Sequence, residues 1–183
     1  QFKKSIKFLT LLLTAMIIAT ASASVYYSLT WQPKVTVTAI YVKFTSGSDT
    51  PAGSTVVDSW ARLLLKSYPN ATLTYEEGLN ISNADTSDHL IRLRHVSITP
   101  AETNWDIGNF TRIKFYLICQ NGTEATTFEY TTSNGNSWNE PSTTAYYLIP
   151  DGEEWTIKVE TLSPATATAG KEADIQIALD IQE

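Results

Sequence analysis

The chain has 183 residues, of which 43% are hydrophobic, 11% aromatic and 17% charged, and its formal net charge is −6. This length suits one domain with a self-supporting core. An acidic chain lacks the positive surface that binds nucleic acid, so we expect no nucleic-acid partner. The single cysteine excludes an internal disulfide framework and a cysteine-based zinc site.

Hydroxyl-bearing and aromatic residues dominate the rest of the composition. The chain contains 26 Thr and 16 Ser, with five Trp and nine Tyr. Thr, Tyr and Trp are all enriched in β-strands. The composition is typical of a β-rich, exported surface protein and indicates an extracellular location.

The N-terminal segment carries an export pattern. Three lysines at positions 3, 4 and 7 precede an uncharged apolar stretch from Phe8 to Ala19, which ends in the small-residue run 20–23. A basic region, a short apolar region and an A-x-A site describe a secretory signal peptide. The sequence therefore predicts a signal peptide over residues 1–23, with cleavage after Ala23.

Two other interpretations of this segment stay open. A retained hydrophobic helix from Phe8 to Trp31 would span about 35 Å and could form the core of a filament, although lysines near its buried end would be costly. A membrane anchor is the third, with the lysines on the cytoplasmic side. The residues that such a filament core would bury are Phe8, Leu12, Ala15 and Ile18.

After residue 24 the hydrophobic period is two, which indicates strands. The clearest alternating runs are 34–44, 89–99, 111–119 and 173–181. The nearest helix candidate, 56–68, is equally compatible with a buried strand. Asn121-Gly122 and Pro150-Asp151-Gly152 each predict a hairpin turn between two such runs.

These elements predict a mainly β fold. We expect a single antiparallel, immunoglobulin-like sandwich of about seven to nine strands over residues 35–183. Residues 24–34 would connect it to the N-terminal segment.

The connector itself alternates between apolar and polar residues. It is either the first strand of its own sandwich or a donor strand that completes the sheet of a neighbouring subunit. The second arrangement is head to tail and does not close, so it builds a filament. The side chains on its apolar side are Val25, Tyr27, Leu29 and Trp31.

Surface and catalytic motifs favour a structural role. Four N-x-[ST] sequons predict N-linked glycans. His89 and His95 lie six residues apart without a third ligand in the pattern, and no catalytic, phosphate-binding or dinucleotide motif occurs. We expect no catalytic residue, metal or cofactor. The predicted glycan carriers are Asn70, Asn80, Asn109 and Asn121.

Two stretches carry a resemblance to a known group of proteins. The N-terminal ATASASVYYSLTW running into KVTVTAIYVKFTSGSDT, and PNATLTYEEGLNISNADTSDHLIRLRHVSIT, resemble archaeal bundling-pilus subunits related to camelysin/TasA-type fibre proteins. That resemblance implies an export signal, a β-sandwich and an N-terminal donor strand. The chain is also similar in layout to archaeal type IV pilins, which implies a retained helical core.

The expected function is therefore that of a non-enzymatic structural subunit of an extracellular archaeal filament, with a role in adhesion or biofilms. Its partners would be identical subunits in a head-to-tail homopolymer, with membrane contact only before assembly. An alternative of another class is a membrane-anchored surface or carbohydrate-binding module. The five Trp could serve such a module as a sugar-stacking platform, although core or interface positions are the commoner use of Trp.

Overall fold

A computed structural model describes residues 41–100, 107–133 and 137–182. Eleven strands and one short 3-10 helix, Ile107–Asn109, lie within these ranges. The strands are β1 Val42–Ser46, β2 Thr55–Val57, β3 Trp60–Lys66, β4 Thr72–Asn83, β5 His89–Thr99, β6 Arg112–Ile118, β7 Glu124–Ser133, β8 Ser137–Asn139, β9 Tyr147–Ile149, β10 Glu154–Leu162 and β11 Glu172–Gln182.

The strands form two antiparallel sheets that enclose one hydrophobic core. The six-stranded sheet has the order β1-β4-β10-β6-β7-β8, and the five-stranded sheet has the order β2-β3-β11-β5-β9. The predicted antiparallel β-sandwich is confirmed. The described residues form eleven strands rather than the predicted seven to nine, and the excess consists of short strands, since β2, β8 and β9 have only three residues each.

Alternation along each strand explains why the two sheets pack together. In β10, Trp155, Ile157 and Val159 are buried, while Lys158 and Glu160 between and after them point to solvent. In β11 the alternation predicts the inward set Ile175, Ile177, Leu179 and Ile181; the first three are buried, and Ile181 at the end of the strand is 36% exposed. Removing such side chains from water is the main force that holds two half-apolar sheets face to face.

Aromatic rings fill one end of the core. Phe115, Phe128 and Tyr130 meet edge to face, with ring centroids 5.6 to 6.0 Å apart. Trp138 packs against Tyr130 at 6.3 Å, and its indole N–H donates to the carbonyl of Pro100 at 2.7 Å. These edge-to-face pairs are a favoured geometry of aromatic side chains, and the indole N–H of Trp138 is paired despite its burial.

The segment 56–68 is strand rather than helix. β2 and β3 form a tight hairpin around Asp58 and Ser59. The carbonyl of Asp58 accepts the N–H of Phe44 at 2.8 Å, and the carbonyl of Ser59 accepts the N–H of Leu179 at 2.9 Å. This turn therefore links the edge of one sheet to the centre of the other.

The two predicted hairpins have different outcomes. β6 and β7 are joined through Asn121-Gly122 as predicted, and Gly122 has a φ of 83° that favours glycine. The turn at 150–152 also exists, but the hairpin prediction is wrong because β9 pairs with β5 while β10 pairs with β4 and β6. The chain crosses there from one sheet to the other.

The first predicted strand, 34–44, is described only from residue 41, where β1 supplies its last part. Residues 1–40 lie outside the described ranges, and so do the predicted boundaries of the signal peptide and connector. No helix in the described part of the chain is long and apolar enough to cross a lipid bilayer.

Candidate functional site

One side of β7 is a strand edge that lacks a strand partner among the described residues. β7 pairs with β6 along its length, whereas β8 covers only Thr131–Ser133. We call the uncovered stretch, Glu124–Tyr130, the β7 edge. Unpaired edges are the places where another strand can join a sheet.

The hydrogen-bond pattern identifies the backbone groups that point away from β6. The N–H of Thr132 donates to the carbonyl of Thr111 at 3.2 Å, and the register continues without a break as far as Thr126. Since backbone groups alternate between the two sides of a strand, those of Thr127 and Glu129 point outward. Their N–H groups make no hydrogen bond to any described residue.

The two faces of the β7 edge differ in polarity. Phe128 and Tyr130 point into the core and are buried, whereas Thr127 and Glu129 lie on the solvent side and are half-buried. A strand added here would extend both the core face and the solvent face of the six-stranded sheet. It would need apolar side chains on its core side and polar side chains on its other side.

Other edges in the described ranges are short or capped. In β1 the N–H of Phe44 already donates a hydrogen bond to the Asp58 carbonyl. Beyond β9, the N–H and carbonyl of Leu93 in β5 are both bonded to Thr144, at 2.9 and 3.0 Å. The β7 edge therefore offers a longer open ladder than these neighbours.

The outer face of the five-stranded sheet is the second unusual surface. Every exposed large hydrophobic side chain that lies on a described strand belongs to this sheet, and none to the six-stranded sheet. Contiguous exposed apolar surface on a soluble domain marks an interaction site. Val57, Trp60, Val96 and Leu148 lie on the outer face, whereas Ile181 is on the inner side with Ile175, Ile177 and Leu179 and is exposed because it lies at the end of β11.

A pit lies at the centre of this face. The register places Trp60 of β3, Ala178 of β11 and Arg94 of β5 in one row across three strands. Ala178 is small, so the indole and the guanidinium form two walls with a gap between them, while Gln176 and Asp180 lie two residues to either side along β11. We call these five residues the Trp60 pit. Together with Ser59, Val96 and Leu179 they line an open groove of about 620 Å³.

Salt bridges organise the polar wall of the pit. Asp180 accepts from Arg94 Nη2 and from Arg92 Nε, both at 3.1 Å. The hydrogen bonds from Arg94 and then Arg92 hold the pKa of the Asp180 carboxyl below its usual range. Two guanidinium groups against one carboxylate leave this part of an acidic chain with a local positive charge.

Two predicted glycan carriers are exposed. Asn121 lies at the tip of the β6–β7 hairpin, where its side-chain oxygen accepts the N–H of Thr123 at 2.9 Å. Asn70 lies in a turn before β4 with a φ of 52°, and its side chain is exposed. Both positions would accept a glycan without disturbing the sandwich.

The other two carriers are less accessible. Asn80 is half-buried in the middle of β4, and its Nδ2 donates to Glu154 at 3.2 Å. Asn109 is only 2% exposed, and its side-chain oxygen accepts the N–H of Thr168. A glycan on Asn109 is incompatible with the folded domain, because the side chain has no path to the surface.

The histidines lie in separate environments. His89 bonds to Asp85 at 2.7 Å, and His95 lies between the Tyr130 hydroxyl, at 2.8 Å, and Glu140, at 3.2 Å. Within the described ranges, no three His, Cys, Asp or Glu side chains come together as a metal site. Cys119 packs against the core, and burial raises the pKa of its thiol.

The Trp residues divide between core and surface. Trp138 and Trp155 are buried in the core, which is one of the two positions expected for most Trp residues, whereas Trp60 is 37% exposed. Trp31 and Trp105 lie outside the described ranges. A platform built from several Trp is therefore not formed by the three described ones.

The remaining predicted site residues also lie outside the described ranges. They are the donor-strand candidates Val25, Tyr27, Leu29 and Trp31, and the helix-core candidates Phe8, Leu12, Ala15 and Ile18. The comparison with known proteins adds no family: the chain matches no protein-family profile and no curated protein sequence.

Sequence reasoning missed the Trp60 pit, because its members come from three strands far apart in the chain. One signal was present. Arg92 and Arg94 alternate with apolar residues in one strand, and Asp180 does so in another, which places charges of opposite sign on outward faces. Only the pairing of β5 with β11 shows that they meet.

Proposed function

We propose that the chain is a structural subunit of an extracellular filament, and that it polymerises when the N-terminal strand of one copy joins the sheet of the next. The observation that carries this proposal is the β7 edge. It has outward N–H groups at Thr127 and Glu129 without a described partner, beside a buried aromatic layer. In strand addition the main chain supplies affinity and the alternating side chains supply specificity.

The alternating part of the N-terminal connector, residues 25–31, matches this edge in its pattern of apolar and polar side chains. Residues 25–31 have apolar side chains at odd positions and Tyr26, Ser28 and Thr30 at even ones. The apolar set would extend the layer of Phe128 and Tyr130, and the polar set would lie beside Thr127 and Glu129. The register of β7 is regular only from Thr126 onward, so the alternating part of the connector would pair along Thr126–Tyr130.

This contact is heterologous, because an N-terminal strand meets a different surface on the neighbour. Such contacts repeat without closing unless the rotation happens to complete a ring. The exposed Asn70 and Asn121 support an extracellular role as glycan carriers, and an enzymatic activity is not part of the proposal.

Electron microscopy of the full chain tests the donor side. Leu29→Asp or Trp31→Asp should abolish filaments and leave a folded monomer, because a charge would enter the apolar layer. Ser28→Asp is the matched control, since residue 28 lies on the polar side, and it should still form filaments. Filaments from the Leu29→Asp chain would overturn this mode of assembly, as would loss of filaments only in Ile17→Lys, which instead indicates a helical core.

The acceptor side has its own pair of variants. Thr127→Pro removes one outward N–H, and proline is tolerated on a strand edge that donates no ladder hydrogen bond there. Thr127→Val keeps that N–H and the β propensity. Filaments should be lost with proline and kept with valine, while the circular dichroism of both monomers stays that of a β-sandwich.

A further inference from the structure

The Trp60 pit has the chemistry of a small-ligand site rather than of a plain surface. One wall is the indole of Trp60, which is 37% exposed, the floor is Ala178, and the opposite wall is the side chain of Arg94. Neighbouring strands are about 4.8 Å apart, so the two walls stand about 10 Å apart across β11. Ala178 is only 7% exposed, so the neighbouring side chains cover most of the floor, and a ring would lie against the indole at the mouth of the pit.

The rim of the pit supplies both donors and acceptors. Gln176 offers an amide with both functions, and Asp180 offers carboxylate oxygens. Arg94 uses Nε and Nη2 on Asp180, at 3.1 Å each to the nearer oxygen, and its Nη1 makes no hydrogen bond to a described residue. The pit therefore combines one apolar wall with a polar rim whose groups are already oriented.

We propose that the Trp60 pit binds a pyranose ring of a saccharide. A pyranose has an apolar C–H face, which would stack on the indole, and a rim of hydroxyl groups, which would pair with Gln176, with Asp180 and with Nη1 of the Arg94 guanidinium. Ligand sites typically enclose about 300 to 1,000 Å³ with few polar groups, and the groove of about 620 Å³ falls in this range.

The fixed polar wall favours this ligand over a purely apolar one. Asp180 and the two arginines hold each other in place, so little side-chain entropy is lost when a ligand binds. An apolar partner covering the wall would strip water from the guanidinium groups without replacing its hydrogen bonds. The hydroxyl groups of a saccharide would replace the hydrogen bonds that this water made. The local positive charge would also accept a carboxylate on the sugar.

This site is independent of the proposed assembly. The pit lies on the five-stranded sheet, and the β7 edge belongs to the six-stranded sheet. Saccharide binding would give a filament subunit something to adhere to, and it would be equally possible in a monomeric surface protein. Failure of the binding test therefore leaves the filament proposal standing, and failure of the filament test leaves the pit standing.

Isothermal titration of the full chain with three defined probes tests the proposal. The probes are cellohexaose as a neutral chain, chitohexaose as an acetamido chain and an oligogalacturonate as an acidic chain. We expect saturable binding of at least one. Trp60→Ala should weaken it by about tenfold or more, because the stacking wall is lost.

Two further variants separate binding from folding. Ala178→Val enlarges the side chain on the floor of the pit, so it should block binding; because Ala178 is only 7% exposed, the unfolding midpoint should also fall, and binding is compared at a temperature at which circular dichroism shows both chains folded. Leu148→Ala is the matched control, because Leu148 is 52% exposed on the same sheet face but is no part of the pit. It should bind like the parent chain.

Three results would overturn the proposal. The first is no binding of any of the three probes by the full chain. The second is unchanged affinity in folded Trp60→Ala or Ala178→Val. The third is a concentration-dependent self-association that both variants abolish without any saccharide binding, which would make the pit a contact between copies of the chain.

Discussion

The outer faces of the two sheets cover the same core but present different surfaces. On the six-stranded sheet, Lys158 lies 3.3 Å from Glu76 and 3.4 Å from Glu160, and the Tyr116 hydroxyl donates to Glu160 at 2.7 Å. On the five-stranded sheet, exposed Val57, Trp60 and Leu148 lie among ion pairs of Arg62 with Asp174 and of Arg92 and Arg94 with Asp180. Both faces carry ion pairs, and among the described strands only the five-stranded sheet adds exposed large apolar side chains to them.

This difference separates what the fold needs from what a partner needs. A sandwich requires only that its inner faces be apolar, and a charged outer face keeps the domain soluble. Exposed apolar residues on the other face add nothing to the core and carry a risk of aggregation. This difference is the reason why our ligand proposal uses the five-stranded face, whereas the filament proposal uses the six-stranded sheet only at its β7 edge.

The largest expected effect comes from the core that both faces share. Phe115 is fully buried among aromatic rings, so Phe115→Ala should lower the free energy of unfolding by about 3–5 kcal/mol. Lys114→Ala, one residue away on the solvated face, should cost about 1 kcal/mol or less. Urea denaturation measures both. Similar losses for the two variants would contradict the alternation of inner and outer faces in β6.

A smaller loss is expected at the corner where the chain changes sheets. Asn83 is 1% exposed, and its Nδ2 donates to the carbonyls of Ser87 and Pro150 at 2.9 Å each and of Ile149 at 3.2 Å. Asn83→Ala leaves those carbonyls without their donor and should cost about 1–3 kcal/mol. Exposed Asn139→Ala serves as control. An equal loss in the control would show that the corner contributes nothing special.

Acid should lower the free energy of unfolding through one carboxylate on each outer face. The hydrogen bond from Arg94 is the main cause that lowers the pKa of Asp180, and the hydrogen bond from the Tyr116 hydroxyl is the main cause that lowers the pKa of Glu160. The same Tyr116–Glu160 hydrogen bond raises the pKa of Tyr116 to about 12. A lowered carboxyl pKa stabilises the fold above the ordinary value of about 4 and loses this contribution as the pH falls through the folded pKa.

Thermal unfolding of Asp180→Asn and Glu160→Gln from pH 7 to pH 2 checks this expectation. Each variant should be less stable than the parent chain near neutral pH, and the difference should shrink in acid. A difference that stays constant with pH would show that these carboxylates are not coupled to folding through their protons.

The smallest effect is expected in the solvated network. Lys158→Met should change the free energy of unfolding by less than about 1 kcal/mol, because Glu76 is largely exposed and exposed ion pairs contribute little. The change should shrink further in high salt, which screens such charges. A loss that is large and independent of salt would mean that this face is not merely solvated.

Local pattern was sufficient for most of the strands. The alternation of residues 89–99 predicts β5 with the bounds that it has, and 111–119 and 173–181 predict β6 and β11 within one residue at either end. What local pattern could not give is the partner of each strand. Pro150-Asp151-Gly152 has the same turn chemistry in a hairpin and in a crossing between sheets, so the sequence could not distinguish them.

The candidate sites depend on strand pairing more than the individual strands do. Trp60, Arg94 and Ala178 meet only because β11 lies between β3 and β5, and the irregular register beside His95 adds the exposed Val96 to the groove. Burial of Asn109 likewise follows from its bond to Thr168 on a distant loop. Neither the Trp60 pit nor the burial of Asn109 can be predicted from residues that are neighbours in sequence.

Electron microscopy of filaments from the full chain tests the central claim most directly, with Leu29→Asp compared against Ser28→Asp. Strand addition to the β7 edge predicts filaments from the parent chain and from Ser28→Asp, and only folded monomers from Leu29→Asp. Filaments from Leu29→Asp, or none from the parent chain, would contradict the claim.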